Sequence, residues 1–392
     1  MKYLFYLLPG LLNVVMGLFF FITAKRMADA GLSSLAVTAT MPMWALVYAA
    51  TSFIIGKFAN KNNAVKILLI SQFILLGSVV GLLITPSVKL QYFYLIGSGL
   101  GTGLFFTPFQ VIVKLFEKVE ISAETFARSA ATYTFSWSFG QGCGPMIAAM
   151  VWGAFDPVNG WKYCYMITIA IVILVMISLI FMQKFIAGRL REESQTTPDA
   201  GQCQSNALQL PDLMKATWVL AIGGYLVIAA IRVYLPDYAT KIIALPTSTQ
   251  GLILALVSIV QALVALACWK VRKFPFRPWG GLATAGGAIA SLLIFAFCSS
   301  GTAYMLAAVL LGCFSGIYCF NMTYHALANY TKSARYAAGN ETIVGGMSVF
   351  APIAAGVISD ASTARMPFYV LAAILIITAI FYCRMTWKYR KF

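Results

Sequence analysis

Apolar positions along the chain form long uninterrupted stretches. Eleven stretches contain no Asp, Glu, Lys or Arg, and they lie at residues 3–24, 30–56, 67–88, 90–113, 129–155, 163–183, 216–231, 242–269, 278–331, 342–359 and 366–383. A helix needs about 20 apolar residues to cross the hydrocarbon core of a bilayer. The 278–331 stretch is long enough for two crossings, with Ser299-Ser300-Gly301 at the turn between them. The pattern therefore predicts twelve transmembrane helices.

The composition agrees with this class. The 392 residues are 60% hydrophobic and 10% charged, whereas a soluble chain carries about 25% charged residues. We interpret residues 3–24 as the first span, because no small-residue cleavage site followed by a soluble domain marks them as a signal peptide. The fold class that we predict is an all-α integral membrane protein.

The distribution of basic residues predicts the orientation. If the N-terminus is cytoplasmic, 21 of the 28 lysines and arginines fall on the cytoplasmic side. The other seven are Lys25, Arg26, Lys89, Lys162, Arg232, Lys241 and Arg365. This bias places both termini in the cytoplasm and the protein in the cytoplasmic (inner) membrane of the cell. The net charge of +16 is then explained by topology and anionic headgroups, and we expect no nucleic-acid partner.

The chain divides into two similar halves. Residues 188–215 are polar and rich in Ser, Thr, Gln and Pro, which predicts a flexible cytoplasmic linker between six-helix bundles at 1–187 and 216–392. A constant shift of 207 places Arg128 on Arg335 and Pro145 on Pro352. Duplication of a six-span unit is typical of transporters with two pseudo-symmetric bundles.

Residues for catalysis or metal binding are scarce. The eight cysteines are scattered without a CxxC or Cys/His metal spacing, and the chain has a single histidine. We therefore expect no enzyme, no metal and no cofactor.

The segment GKFANKNNAVK, which begins at Gly56, resembles the motif between spans 2 and 3 of the major facilitator superfamily, Gly-x-Leu-Ala-Asp-Arg-x-Gly-Arg-Arg-x. Gly56, Ala59, Lys61 and Lys66 fit this motif, while Asn60 replaces its acid. The resemblance covers nearly the whole chain in architecture but only a few short segments in residues. It implies a twelve-helix fold and alternating access, in which the two bundles rock around a central site.

The segment SFGQGCGP in the fifth span looks like the Gly-Pro motif of facilitator antiporters. Its two glycines at i,i+4 leave one helix face without side chains, and its proline favours a kink. Plain helix packing and a pivot between the bundles are both compatible with this pattern, which has a counterpart in the eleventh span. The packing and pivot candidates are Gly140, Gly144, Pro145, Gly345, Gly346 and Pro352.

The fourth span, GSGLGTGLFFTPF, departs from one subfamily. Proton-coupled drug exporters of the superfamily carry an arginine before these glycines, and the matching place here is about Gly97. This departure weakens the case for such an exporter. Uniport, sodium coupling and proton coupling through another residue remain open.

Polar residues inside the predicted spans are the candidates for substrate contacts, because such groups are costly within a membrane. In the superfamily, spans 1, 4, 7 and 10 line the central cavity, and span 5 adds to it here. The candidates are Asn13, Gln110, Tyr133, Trp137, Gln141, Tyr225, Arg232, Asn321, Tyr324 and His325. Arg232 as a counter-charge favours an anionic or polar metabolite. Alternatively, Arg232 extends to the outer headgroups, His325 lies at the cytoplasmic interface, and the aromatic residues are interface anchors.

Glu341 lies six residues after Arg335, about 9 Å into the eleventh span. In the superfamily, the acid of the span 2–3 loop meets this helix end and stabilises the outward-facing state. Glu341 could replace it as part of a cytoplasmic gate, carry a coupling proton, or be a silent interfacial residue. The gate and coupling candidates are Asn60, Lys61, Arg128, Arg335 and Glu341.

Three functions are compatible with the sequence. The first is a secondary active transporter of a small organic solute, with H⁺ or Na⁺ as coupling ion, and the second is a multidrug efflux antiporter. The third is a non-transporting membrane protein such as a sensor or an intramembrane enzyme. The expected partners are the solute, the ion and membrane lipids, and we expect a monomer.

Overall fold

The computed structural model describes residues 2–60, 62–116, 123–155, 159–195, 212–270, 278–328 and 332–389. Within these ranges the regular structure is helical and no strand occurs. Twelve of the helices are long, and they correspond one to one to the twelve predicted spans. The fold class predicted from the sequence is therefore confirmed.

The first half consists of six long helices and one short one. They are α1 (Lys2–Asp29), α2 (Ser34–Thr38), α3 (Thr40–Phe58), α4 (Ala64–Ile84), α5 (Gln91–Phe116), α6 (Ala123–Phe155) and α7 (Gly160–Gln195). The short helix α2 begins where Ser33 Oγ accepts a hydrogen bond from the Ala36 amide at 3.2 Å, as an N-cap residue does.

The second half repeats the pattern with six long helices. They are α8 (Met214–Lys241), α9 (Thr247–Cys268), α10 (Pro278–Phe297), α11 (Gly301–Ala328), α12 (Ser333–Ala361) and α13 (Met366–Thr386). The long apolar stretch 278–331 divides between α10 and α11 at Ser299-Ser300, as predicted.

Ten described helical segments are long and apolar enough to cross a membrane. The other two long helices, α5 and α6, contain 26 and 33 residues. Large apolar side chains such as Phe53, Ile84 and Phe181 are at least 70% exposed on the outer surface. Such a surface suits lipid, since hydrocarbon tails replace water around it.

The helix α7 continues further than the sequence predicted. It runs through Gln195, so the first eight residues of the predicted linker 188–215 are helical. The reason is local, because residues 189–193 are Arg, Leu, Arg, Glu and Glu, which all favour helix. Residues 196–211 lie outside the described part of the chain.

The bundles meet along several helix pairs. The most extensive pairing between the halves joins α6 to α9; α3 and α2 pack on α12, α1 packs on α8, and α6 also packs on α11. We call the end of the bundles with the chain termini the termini side, and the end with Asp29 and Met366 the distal side. Every long helix runs from one side to the other, so each contact between bundles can be placed by depth.

Candidate functional site

A small cavity lies between the two bundles. Its volume is about 20 Å³, and it is lined by α1 and α6 of the first half and α8 and α9 of the second. Its wall includes Gly17, Phe20, Gln141, Arg232 and Ser258. The volume suffices for about one water molecule, so a solute requires the bundles to separate further. The sequence predicted Gln141 and Arg232 and expected spans 1, 4, 7 and 10, with span 5 in addition; spans 1, 5 and 7 line this cavity, and span 8 lines it as well.

Arg232 is half-buried in this wall and lies within electrostatic range of Tyr225, Tyr318 and Cys319. Among the described residues no Asp or Glu pairs with it. Asp237, five residues further along α8, pairs instead with Lys241 at 2.5 Å. Arg232 therefore faces the protein interior and not the headgroups of the distal side.

Three residues next to Arg232 form one packed group. The rings of Tyr225 and Tyr318 meet edge to face at 5.2 Å, and the Tyr225 hydroxyl lies 3.5 Å from Cys319 Sγ. Gly224 permits this contact, because a Cβ there would lie 2.3 Å from the Tyr318 ring. Sequence reasoning missed Tyr318 and Cys319. Tyr318 could have been found, since it lies three residues before Asn321 and so shares its helix face.

The predicted residues of α11 are enclosed. Asn321, Tyr324 and His325 are each at most 4% exposed, so other protein groups surround the His325 ring. Tyr324 stacks on Phe320 at 5.7 Å and packs near Ala130 of α6. Tyr324 therefore contributes to the contact between the bundles.

The remaining substrate candidates fall into three groups. Asn13 Nδ2 donates to the Pro9 carbonyl at 2.8 Å, so its amide is engaged within its own helix. Tyr133 and Trp137 are half-buried on α6. The side chain of Gln110 lies outside the described residues.

The distal side is closed by contacts between the halves, which we call the distal clasp: Ser34, Leu35, Asp237, Lys241 and Asp360. The Asp360 carboxylate accepts the amides of Ser34 and Leu35 at 3.0 and 2.9 Å. The Ser34 hydroxyl donates to Asp237, which the Lys241 ammonium also contacts. One short helix of the first half is thus bound to two long helices of the second.

The contact between α3 and α12 continues from the clasp towards the termini side. A Cβ at Gly345 would lie 3.5 Å from that of Ala49, and nearer the termini side Tyr48 Oη donates to Glu341 Oε2 at 3.3 Å. Beyond Glu341, α12 turns to its own half, where Asn340 accepts a hydrogen bond from Trp218 Nε1 at 2.8 Å. Glu341 is itself exposed. Among the described contacts, the hydrogen bond between Tyr48 and Glu341 is the polar contact between α3 and α12 that lies nearest the termini side.

The other gate candidates are not assembled around Glu341. The side-chain oxygen of Asn60 accepts the amides of Asn62 and Asn63, which closes a local turn. Arg335 is exposed on α12, and the Arg128 guanidinium lies 5.9 Å from the Trp269 ring. Lys61 lies outside the described residues.

A second polar cluster lies at the termini side, where Asp212 precedes α8. Its Oδ2 accepts hydrogen bonds from Tyr336 Oη at 2.5 Å and from Lys332 Nζ at 3.2 Å. Burial opposes ionisation of Asp212, but these bonds and that of the Met214 amide outweigh it and lower the pKa of the carboxyl group. The cluster therefore favours the ionised form of Asp212.

The sequence matches the family model of the Major Facilitator Superfamily over residues 5–340. The chain belongs to this superfamily. A search among curated proteins found no match.

Solved structures of superfamily transporters share the fold. A bacterial homolog of the human lysosomal transporter Spinster, inward-facing and unoccupied, superposes with a TM-score of 0.74 at 16% identity, over 100% of this chain and 97% of that one. The partially occluded, inward-open xylose transporter XylE from E. coli gives 0.69 at 16% identity, with 97% of each chain covered. The nucleoside transporter NupG gives 0.66 at 11% identity, with 98% of each chain covered. At these identities the likeness concerns the fold alone.

The Gly-Pro motif of this superfamily member packs tightly. A Cβ at Gly140 would lie 2.0 Å from the Gly10 carbonyl oxygen, and one at Gly144 would lie 2.4 Å from the Leu18 amide. These glycines let α6 approach α1, while Pro145 lines the central cavity.

In the eleventh span the close packing does not extend to Gly346, where a Cβ would meet nothing within 4 Å, and a pivot there stays a prediction. Gly345 makes only an ordinary contact with Ala49, and Pro352 is buried. The reason lies in the internal repeat, because the shift of 207 matches Gly345 and Gly346 to Ser138 and Phe139 and not to the tightly packed glycines.

At Gly97, about where the drug exporters carry an arginine, α5 lies close to α4. A Cβ at this position would lie 2.3 Å from Ser78 Oγ on α4, and the Ser78 hydroxyl would have to rotate away to admit a side chain.

Proposed function

We propose that this member of the superfamily is a secondary active transporter that moves a small anionic or polar organic solute by alternating access. The observation that carries the proposal is Arg232, whose guanidinium lines the cavity between the bundles without an acidic partner among the described residues. An unpaired charge inside a membrane protein is costly. A bound anion offsets that cost. Structural neighbours named as transporters of xylose, nucleosides and organic anions support a small solute.

The proposed conformation follows from the distal clasp. With both termini in the cytoplasm, as the lysine and arginine bias indicates, the clasp closes the outer side and the structure is inward-facing. The inward-facing and inward-open forms of the two similar structures support this assignment. Outward opening then requires the Asp360 and Asp237 contacts to break.

The bundle boundaries at 187 and 216, the cytoplasmic membrane and the monomeric state belong to the same proposal. So does the role of Glu341 as a gate, because its hydrogen bond with Tyr48 joins the two bundles at membrane depth. If Glu341→Gln abolishes ion-driven accumulation but spares counterflow exchange, Glu341 is a coupling residue and not a gate.

Multidrug efflux is the second candidate, favoured by the Gly-Pro motif and by the aromatic wall at Phe20 and Phe21. Overexpressing cells would then grow in toxic concentrations of amphipathic compounds. The absence of the exporter arginine near Gly97 argues against the proton-coupled class of these exporters.

A thermal-shift screen of the purified protein against metabolites tests the proposal. A ligand that binds only the folded state at 100 times its Kd stabilises it by about 2.7 kcal/mol. We expect anionic metabolites to raise the Tm of the wild type and of Arg365→Gln, but not of Arg232→Gln. Arg365 is the matched control, since it lies exposed in the same half before α13. Equal shifts in both variants would exclude Arg232 as the counter-charge.

A further inference from the structure

Two charges of opposite sign face the space between the bundles without pairing to each other. Arg232 on α8 and Glu341 on α12 each lie within electrostatic range of Tyr225. Among the described residues neither forms an ion pair with any other side chain. Tyr225 therefore lies near both a cation and an anion.

The cationic side of this arrangement is built into α8. Tyr225 and Arg232 are seven residues apart, two turns along one face of the helix. Tyr225 is 8% exposed and is fixed by Tyr318 and Cys319, whereas Arg232 retains access to the cavity. The guanidinium is thus held at a surface from which a solute could accept hydrogen bonds.

The anionic side is built into α12. Residues 341, 345, 352 and 356 lie on one face of α12, and the last three of them are buried. On this face Gly345 contacts Ala49 and Gly356 contacts Leu35, both in the first bundle. Glu341 continues this face and bonds Tyr48, so it points towards the first bundle and not into lipid. Tyr48 is a neutral donor to one carboxylate oxygen, which leaves acceptor capacity and the charge itself uncompensated.

We propose that the solute is dipolar, with an anionic group at Arg232 and an ammonium or similar cationic group at Glu341. This inference rests on the proposed transport function and specifies its substrate class. Enclosing a net-neutral solute between the bundles gives both side chains a partner of opposite charge as water is excluded around them. A solute with only one charge leaves the other side chain desolvated and unpaired, which disfavours its binding.

A series of ω-aminocarboxylates of increasing chain length tests the proposal by calorimetric titration of the full chain in nanodiscs. Each is compared with the alkyl carboxylate and the alkyl amine of the same length. We expect one range of lengths to bind, with a Kd at least about tenfold lower than that of either singly charged analogue. The length with the lowest Kd measures the separation of the two charges.

Two variants test which side chain binds the carboxylate of the solute and which binds its ammonium group. In Glu341→Gln the aminocarboxylate and the carboxylate should bind equally, with the carboxylate Kd unchanged. In Arg232→Gln both should bind at least about tenfold more weakly. Asp29→Asn is the matched control for the acid, because Asp29 pairs with Lys25 at the distal end of α1, and it should preserve the wild-type preference.

Several results would overturn the dipolar substrate. Equal binding of carboxylate and aminocarboxylate to the wild type would leave a simple anion transporter, and the proposed function would stand. Glu341 would instead be a proton site if Glu341→Gln abolished the pH dependence of carboxylate binding but kept the preference for the aminocarboxylate over the carboxylate. Failure of every member of the series to bind would also refute the dipolar class, while the metabolite screen would decide separately on transport.

Discussion

The substitution Asp360→Asn should release the distal clasp. The Asp360 carboxylate accepts two backbone amides of the first half, at 3.0 and 2.9 Å. Hydrogen bonds to a charged group each contribute about 1.5–3 kcal/mol, and solvent at this exposed residue reduces that contribution. Asparagine keeps one acceptor oxygen and turns an NH₂ group towards the other amide. We therefore expect the closed state to lose about 2 kcal/mol, which shifts the equilibrium towards distal opening by about 30-fold.

Distances between spin labels measure this shift without a known substrate. Labels on cysteines at Lys89 and Thr302, both exposed at the distal side of different halves, report the opening in a variant that lacks the native cysteines. Asp360→Asn should add a population with a longer distance. Ser362→Ala is the control, since its hydroxyl bonds only Ile358 of the same helix end. Unchanged distances in Asp360→Asn, with folding intact, would refute the role of the clasp.

Three further predictions concern packing and charge. Gly140→Ala should lower the Tm in a fluorescence melt, because its Cβ would overlap the carbonyl of Gly10 and such overpacking costs about 1–3 kcal/mol. The control Gly346→Ala should leave the Tm nearly unchanged. Equal losses of Tm in the two variants would contradict the close approach of α1 and α6. The folded-state pKa of Asp212 is lowered, so its contribution to stability is present above the ordinary carboxyl pKa and is lost as the pH falls. The Tm advantage of the wild type over Asp212→Asn should therefore shrink between about pH 5 and pH 3, and a constant difference would exclude the hydrogen-bonded carboxylate. Gly97→Arg should lower the Tm, because a charge within a span is costly and Ser78 Oγ must move, and should give no proton-driven drug export in vesicles; a stable, exporting variant would contradict the departure from that exporter class.

The long-range architecture was predictable because membrane insertion is a property of local sequence. Twelve crossings and the duplicated halves follow from apolar stretches and from matches such as Pro145 with Pro352. The end of α7 was predicted too early, because residues 188–195 look like a polar linker in composition, while residues 189–193 within them favour helix.

The environment of the candidate site was less predictable. Arg232 could be identified from its cost within a span, but the absence of an acidic partner depends on how Asp237 pairs across the bundles. The sequence proposed Glu341 as a replacement for the acid that Asn60 lacks, but it did not identify Tyr48, ten residues before the end of α3, as the hydrogen-bond partner of Glu341. Such pairings depend on helix rotation, which uniformly apolar stretches do not encode clearly.

A reversible crosslink between α3 and α12 tests alternating access most directly. Cysteines at Ala49 and Gly345 would place their Cβ atoms about 3.5 Å apart, within the range of a disulfide, whereas Gly346 offers no neighbour and serves as the control partner for Ala49. The measurement is exchange, in proteoliposomes, of the solute that the thermal-shift screen identifies. We predict that the oxidised Ala49→Cys/Gly345→Cys protein binds the solute but does not exchange it, and that reduction restores exchange. Full exchange by a protein whose crosslink is verified by mass spectrometry would contradict the proposal that the bundles must separate along this interface.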